Sequence, residues 1–115
     1  MAEPGQIVWA DVPDKNGFVK MRPAVILSAS SDSLICCCIT TRQLQPKPVS
    51  YFRMPWDAAG KSATGLRKPC WAVAEWLVEV REDQIKRISG KLHGPRLADL
   101  RELVEKHREA RDGAS

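Results

Sequence analysis

The sequence lacks any long apolar run. The longest, around Pro23–Ala29 and Leu34–Ile39, fall far short of the roughly 20 residues a helix needs to cross a bilayer. Its start, MAEPGQ, has no basic segment leading into an apolar stretch, so no secretory signal is expected. Both absences point to a cytoplasmic protein with no membrane association. Histidine is scarce: His93 and His107 are the only two, too far apart in sequence to flank one phosphate as acid and base without an unusual fold. No P-loop and no G-x-G-x-x-G is present, which argues against a nucleotide-cofactor enzyme. No G-x-S-x-G is present either, and the serines cluster in loops without a neighbouring histidine. A Ser-His-Asp triad therefore has no support.

Cysteine is present but without metal-binding spacing. Cys36, Cys37 and Cys38 are consecutive, Cys70 stands alone, and no C-x-x-C occurs. Neighbouring strand residues point to opposite faces, so three in a row cannot converge on one ion. A structural zinc site needs about four converging ligands. The expectation is no metal and no cofactor, with the cysteines serving as small strand hydrophobes in a reducing compartment.

What is there is ordinary globular chemistry. The chain has 115 residues, 43% of them hydrophobic and 28% charged, which suits one domain with one core and excludes whole-chain disorder. A single domain over residues 1–115 is expected, with an ordered core over about 5–110. Lys and Arg number 18 against 14 Asp and Glu, a net charge of +4. That balance mildly favours an anionic partner such as nucleic acid.

The pattern is short strands followed by one helix. Gln6–Val12 reads as a strand ending at Pro13, and Asp14–Gly17 is turn chemistry. Met21–Ala29 reads as a second strand. Pro23 lacks an N–H, so it should lie at that strand's start or at an unpaired edge. Leu34–Thr41 is a third, apolar until it ends in two hydroxyls. Val49–Arg53 reads as a short edge strand, and Met54–Arg67 as a loop. Pro69–Val80 is β-rich, with Trp71, Val73 and Glu75 alternating against Ala72, Ala74 and Trp76. Arg81–Arg87 fits one helical turn and Ile88–Leu92 a last strand. Pro95 then opens a helix whose Leu97, Leu100, Leu103 and Val104 recur at spacings of three and four. Its charged faces, Arg101 among them, read as solvated surface, and residues 112–115 should fray. This order suggests a small curled antiparallel sheet or barrel with helical structure at one end.

Two features could carry chemistry. Arg22 is the only charge beside the apolar PAVIL stretch and is held extended by Pro23. A rigid fork of donors there matches a phosphate, although a solvated arginine at a strand start is the commoner occurrence. Thr40-Thr41-Arg42 ends the Cys-rich strand. Its hydroxyls could donate to a phosphoryl oxygen or simply form a turn.

Taken in order, these segments resemble the MazF/PemK family of bacterial type II toxin–antitoxin toxins. The matching pieces are PGQIVWADV near the start, RPAVILS at Arg22–Ser28 and ICCCITTRQ at Ile35–Gln43. Gly65-Leu66-Arg67-Lys68 then leads into the β-rich segment, and ISGKL at Ile88–Leu92 precedes the helix. The resemblance covers about residues 5–105. It implies a mainly β fold with a C-terminal helix, an SH3-like small barrel of the CcdB/MazF type, in a homodimer. It implies a metal-independent endoribonuclease that cuts single-stranded RNA at short sequences, leaving 2′,3′-cyclic phosphate and 5′-OH ends. The family's catalytic arginine corresponds to Arg22 and its catalytic threonine to Thr40, with Thr41 adjacent; Glu75 falls near an acidic residue that some members use.

The same resemblance implies an acidic, partly disordered antitoxin that folds onto the toxin. Lys15, Lys20 and Arg42 could then track RNA phosphates, with Thr41 beside them. Phe18 or Trp56 could stack on a base, with core packing expected of Trp56. The sequence departs from relatives in two places. Gly17 is followed by Phe18-Val19-Lys20-Met21 where a Glu is frequent, and Trp76 stands where a polar residue is frequent. Two other readings share the fold: a non-catalytic barrel that binds nucleic acid or protein, and a gyrase-poison toxin of the CcdB type. Fold alone does not separate them; RNA-end chemistry separates an enzyme from a binder, and DNA damage without RNA cleavage would point to the gyrase target.

Overall fold

A computed structural model describes the backbone of residues 2–113 and the side chains of residues 2–110. Six strands form one antiparallel sheet: β1 (Gln6–Pro13), β2 (Val19–Ala29), β3 (Leu34–Thr40), β4 (Tyr51–Arg53), β5 (Trp71–Val80) and β6 (Arg87–Lys91). Their order is β4-β5-β3-β2-β1-β6. A 3₁₀ turn at Glu82–Gln84 leads into β6, and α1 (Gly94–Gly113) is the last element of the described residues. The fraying expected of residues 112–115 lies in part outside the described residues, since the helix runs on to Gly113.

The sheet is apolar on both faces. Ile7, Val25 and Cys37 face the side covered by Leu97, Leu100 and Val104 of α1. Val8, Ala24, Cys36 and Cys38 face a second core with Val12, Ile26 and Val80. The three consecutive cysteines thus alternate between two cores, as strand geometry requires. All four cysteines are free and buried.

Register shifts between Ile7 and Val8, Ile26 and Ser28, and Cys37 and Ile39 mark bulges that curl the sheet. The curl is not closed by a β4–β6 ladder. The segment after β4 does that work: Asp57 N–H donates to Leu66 O at 2.9 Å and Lys91 N–H to Ala63 O at 2.8 Å. Gly90 allows that approach, because a Cβ there would collide with the backbone of Ala63 and Thr64.

Several boundaries and environments differ from expectation. The second strand starts at Val19, so Pro23 lies inside it, paired with Trp9. It is tolerated because the β2–β3 pairing begins only at Ala24, leaving Pro23 unpaired on that side. The third strand stops at Thr40, not Thr41. Trp56 is outside both cores and 37% exposed, so the core role expected of it is wrong: the loop that carries it spans the rim of the sheet. Arg101 is no simple solvated charge, since its Nε donates to Leu27 O at 3.1 Å and ties α1 to the end of β2.

Candidate functional site

Arg22 sits on β2 opposite Ala10 of β1, and three neighbours hold its guanidinium. Its Nε donates to Val12 O at 3.3 Å. One terminal nitrogen lies 3.7 Å from Asp14 Oδ2, and the Arg22 side chain is only 15% exposed. The Trp76 ring lies under its Cζ at 5.1 Å, within cation–π range. Trp76 is itself anchored, its indole N–H donating to Pro13 O at 3.3 Å. Arg22 also lines a cleft, where a guanidinium held in place in this way can receive an anion.

Asp14 is fixed by the hairpin it starts. Phe18 N–H donates to Asp14 Oδ1 at 2.9 Å and Asn16 N–H to the same oxygen at 2.8 Å. The Phe18 bond, helped by the Asn16 bond and the nearby Arg22 charge, holds this carboxyl below its ordinary value. Gly17 closes the turn with φ of 81°, the left-handed region that glycine enters without strain.

β5 brings in Glu75 and Trp76. Between Cys37 and Ile39 the β3–β5 register slips: Cys37 faces Leu77, whereas Ile39 faces Ala72. The extra residues turn the strand, so Ala72 and Ala74 pack in the helix-side core while Trp76 and Val78 pack against the opposite one. Glu75 lies within this irregular stretch, exposed to solvent. Ser50 Oγ donates to its Oε1 at 3.2 Å.

These groups meet at a cavity of about 780 Å³ lined by Asp14, Lys15, Arg22, Thr40, Arg42, Glu75 and Trp76, among others. Thr40 is half-buried, and its Oγ1 accepts from Arg42 N–H at 3.1 Å. A second cavity of about 620 Å³ shares Arg22, Thr40 and Arg42 and adds Lys20 and Thr41. The structure therefore places seven of the nine residues singled out in the sequence around two adjoining cavities. Phe18 and Trp56 are the exceptions: Phe18 is 68% exposed at the hairpin, and neither lines a cavity. His93 and His107 line neither cavity. Among the described residues no three His, Cys, Asp or Glu side chains come together as metal ligands. All four thiols are buried. Burial raises Cys36 and Cys70 to about 11, Cys38 to about 12 and Cys37 further still.

Sequence reasoning missed Trp76 as a partner of Arg22 and Ser50 as a partner of Glu75. Strict alternation along β5 hid the first. No local signal marks the second, because Ser50 reaches Glu75 only through the fold.

The fold and sequence have known counterparts. The family model described as PemK-like, MazF-like toxin of type II toxin–antitoxin system matches residues 3–107. The chain belongs to this family. A search of curated protein sequences finds no match to this PemK/MazF-family chain. Among solved structures, MazF from Deinococcus radiodurans superposes with a TM-score of 0.70 at 16% identity, covering 91% of this chain and 94% of that one. An endoribonuclease in complex with its cognate antitoxin, from a mycobacterial species, gives 0.68 at 13% identity, covering 92% and 93%. The Mycobacterium tuberculosis toxin MazF-mt6 gives 0.66 at 17% identity, covering 88% and 93%. At these identities the superpositions establish a shared fold. That fold is a mainly β curled sheet with one C-terminal helix.

Proposed function

We propose that this PemK/MazF-family toxin is a metal-independent endoribonuclease acting on single-stranded RNA. The observation that carries this reading is Arg22 clamped by Val12, Asp14 and Trp76 at a cavity that Thr40 and Glu75 also line. Membership in the toxin family supports it.

The chemistry needs little from the protein. The ribose 2′-OH attacks the adjacent phosphorus, an O2′–P bond forms and the P–O5′ bond breaks. The products are a 2′,3′-cyclic phosphate and a 5′-OH. Glu75 takes the 2′-OH proton, and Ser50 orients the carboxylate by its hydrogen bond. The leaving 5′ oxygen takes a proton from solvent water in the open cleft, and the proton on Glu75 returns to solvent. Charge builds on the non-bridging oxygens as the phosphorus becomes five-coordinate, and Arg22 and the Thr40 hydroxyl meet it. Preorganised donors of this kind contribute about 2.7–4 kcal/mol each to lowering a barrier. Because the substrate supplies the nucleophile, neither a protein thiol nor a serine need act.

Lys15 and Arg42 contact RNA phosphates flanking the cut. Lys20 and Thr41 do so from the adjoining cavity, and Phe18 at the hairpin offers an exposed ring for a base. The working form is a homodimer. Leu92, Leu97, Leu100 and Val104 are already buried within the chain, so the dimer surface draws on exposed Val19 and Ile88. In the cell the toxin acts in the cytoplasm and is held by an acidic, partly disordered antitoxin.

The test is cleavage of a long RNA of varied sequence by purified, antitoxin-free protein in EDTA. Discrete cuts are expected. Arg22→Ala should slow them by about 10²–10³-fold with the fold intact by circular dichroism. No cuts from folded protein would contradict the proposal.

A further inference from the structure

The turn that follows β1 needs a hydrogen-bond acceptor at its first residue, and one oxygen of Asp14 supplies it. Oδ1 accepts from Asn16 N–H at 2.8 Å and from Phe18 N–H at 2.9 Å. Asparagine or serine would serve such a turn as well. The negative charge is therefore surplus to the turn. It is placed beside a cation: Oδ2 lies 3.7 Å from a terminal nitrogen of Arg22. That separation is too long for a hydrogen bond, so Asp14 gives Arg22 a charge and little bonding. Arg22 is mostly buried and Asp14 half-buried, which leaves the pair less screened than one on open surface. The Phe18 bond above all holds the Asp14 carboxyl below its ordinary value, so the charge is present throughout the neutral range.

That charge sits where the reacting phosphate arrives. Asp14 and Arg22 line the same cavity, together with Lys15, Arg42 and Glu75. Three cations against two carboxylates leave a single excess positive charge there. A phosphodiester carries one negative charge and matches it. A terminal phosphate monoester carries close to two at neutral pH. On Arg22 its second charge would stand near the Asp14 carboxylate, and like charges at such range oppose each other. Asp14 cannot withdraw alone, because its two hydrogen bonds tie it to the hairpin backbone.

We propose that Asp14 is a specificity-determining residue, whose fixed charge selects singly charged internal phosphodiesters over doubly charged terminal phosphates at Arg22. The inference rests on the nuclease reading and deepens it by naming the form of phosphate that the site accepts. It gives a physical reason for cutting within a strand and not at a phosphorylated end.

The probes are 2′-O-methyl nucleosides of all four bases, each carrying either a 3′-monophosphate or the methyl diester of that phosphate. None has a free 2′-hydroxyl to react. NMR titration follows the indole N–H signals, since Trp76 lines the cavity, and compares the wild type with Asp14→Asn. Asparagine keeps the turn acceptor and removes the charge. At about pH 7.5, where the monoester is largely a dianion, the substitution should tighten the monoester roughly 3- to 10-fold more than the diester. At about pH 5, where the monoester also carries about one charge, that difference should vanish. The other charged side chains facing the site are Lys15, Arg22, Arg42 and Glu75, and neither histidine lines the cavity. Should Asp14→Asn fold poorly, Asp14→Ser also offers the turn an acceptor and should give the same shift.

An equal change for both probes, or no change, would overturn the proposal. So would a difference that persists at about pH 5, because the substitution would then have reshaped the site. Failure of wild type and variants alike to bind either probe would overturn it too, whether or not RNA is cut. The nuclease reading fails separately: a protein that shows the expected charge selection but cuts no RNA keeps the selecting residue and loses the chemistry.

Discussion

Arg22 depends on contacts from both sides of its cleft. Val12 O and Asp14 come from β1 and its turn, and Trp76 comes from β5. A cation–π contact is worth about 0.5–2 kcal/mol depending on desolvation, or roughly 2- to 30-fold in rate if it is spent on placing the guanidinium. Trp76→Leu should therefore lower kcat within that range with little change in KM. Trp76→Phe, which keeps a ring face, should recover most of the loss. Equal losses in both variants would assign Trp76 to packing alone. Arg22 and Thr40 were singled out through the family resemblance, because a proline after one and a strand end at the other, taken alone, suit a solvated arginine and a turn equally well. Trp76 was not. Its direction depends on the slipped β3–β5 register, and that slip is a property of two strands.

At the scale of elements, the β5 irregularity and the loop from Met54 to Lys68 do what a regular sheet could not. The first turns β5 from one core to the other and leaves Glu75 at the cleft. The second closes the curl against β6, and the close approach at Gly90 is its tightest point. Gly90→Ala forces the loop off the strand. It should lower stability by several kcal/mol, a strain of the kind that makes single substitutions severe, read as a lower urea midpoint. An unchanged midpoint would show that the loop does not need β6. The strands and helix were readable from alternation and from the spacing of Leu97, Leu100 and Val104. The closure was not, because the segment that makes it has no hydrophobic period and is held by backbone hydrogen bonds at a distance in sequence. Trp56 shows the same limit: its apolar ring suggested a core that the loop's path does not reach.

For the whole molecule, the buried thiols predict a distinctive alkaline limit. Burial holds all four above the ordinary thiol value of 9.0, Cys36 and Cys70 at about 11 and Cys38 at about 12, with Cys37 higher. The folded state keeps protons that the unfolded chain releases. The resulting stability is fully present below about pH 9 and is lost as pH rises through the folded values. Each thiol contributes a slope of up to about 1.4 kcal/mol per pH unit in that window. The urea midpoint should fall steadily from about pH 9 upward, and less steeply in Cys36→Ala. A flat midpoint to about pH 10.5 would show that these thiols are not shielded.

In the proposed reaction the RNA's own 2′-OH breaks the strand at Arg22 and Thr40. The decisive measurement is a map of the RNA ends produced by purified protein in EDTA. The expected ends are 5′-OH and 2′,3′-cyclic phosphate, lost with Arg22→Ala. Fragments carrying 5′-phosphates and free 3′-hydroxyls would contradict it, because water, and not the ribose, would then be the nucleophile.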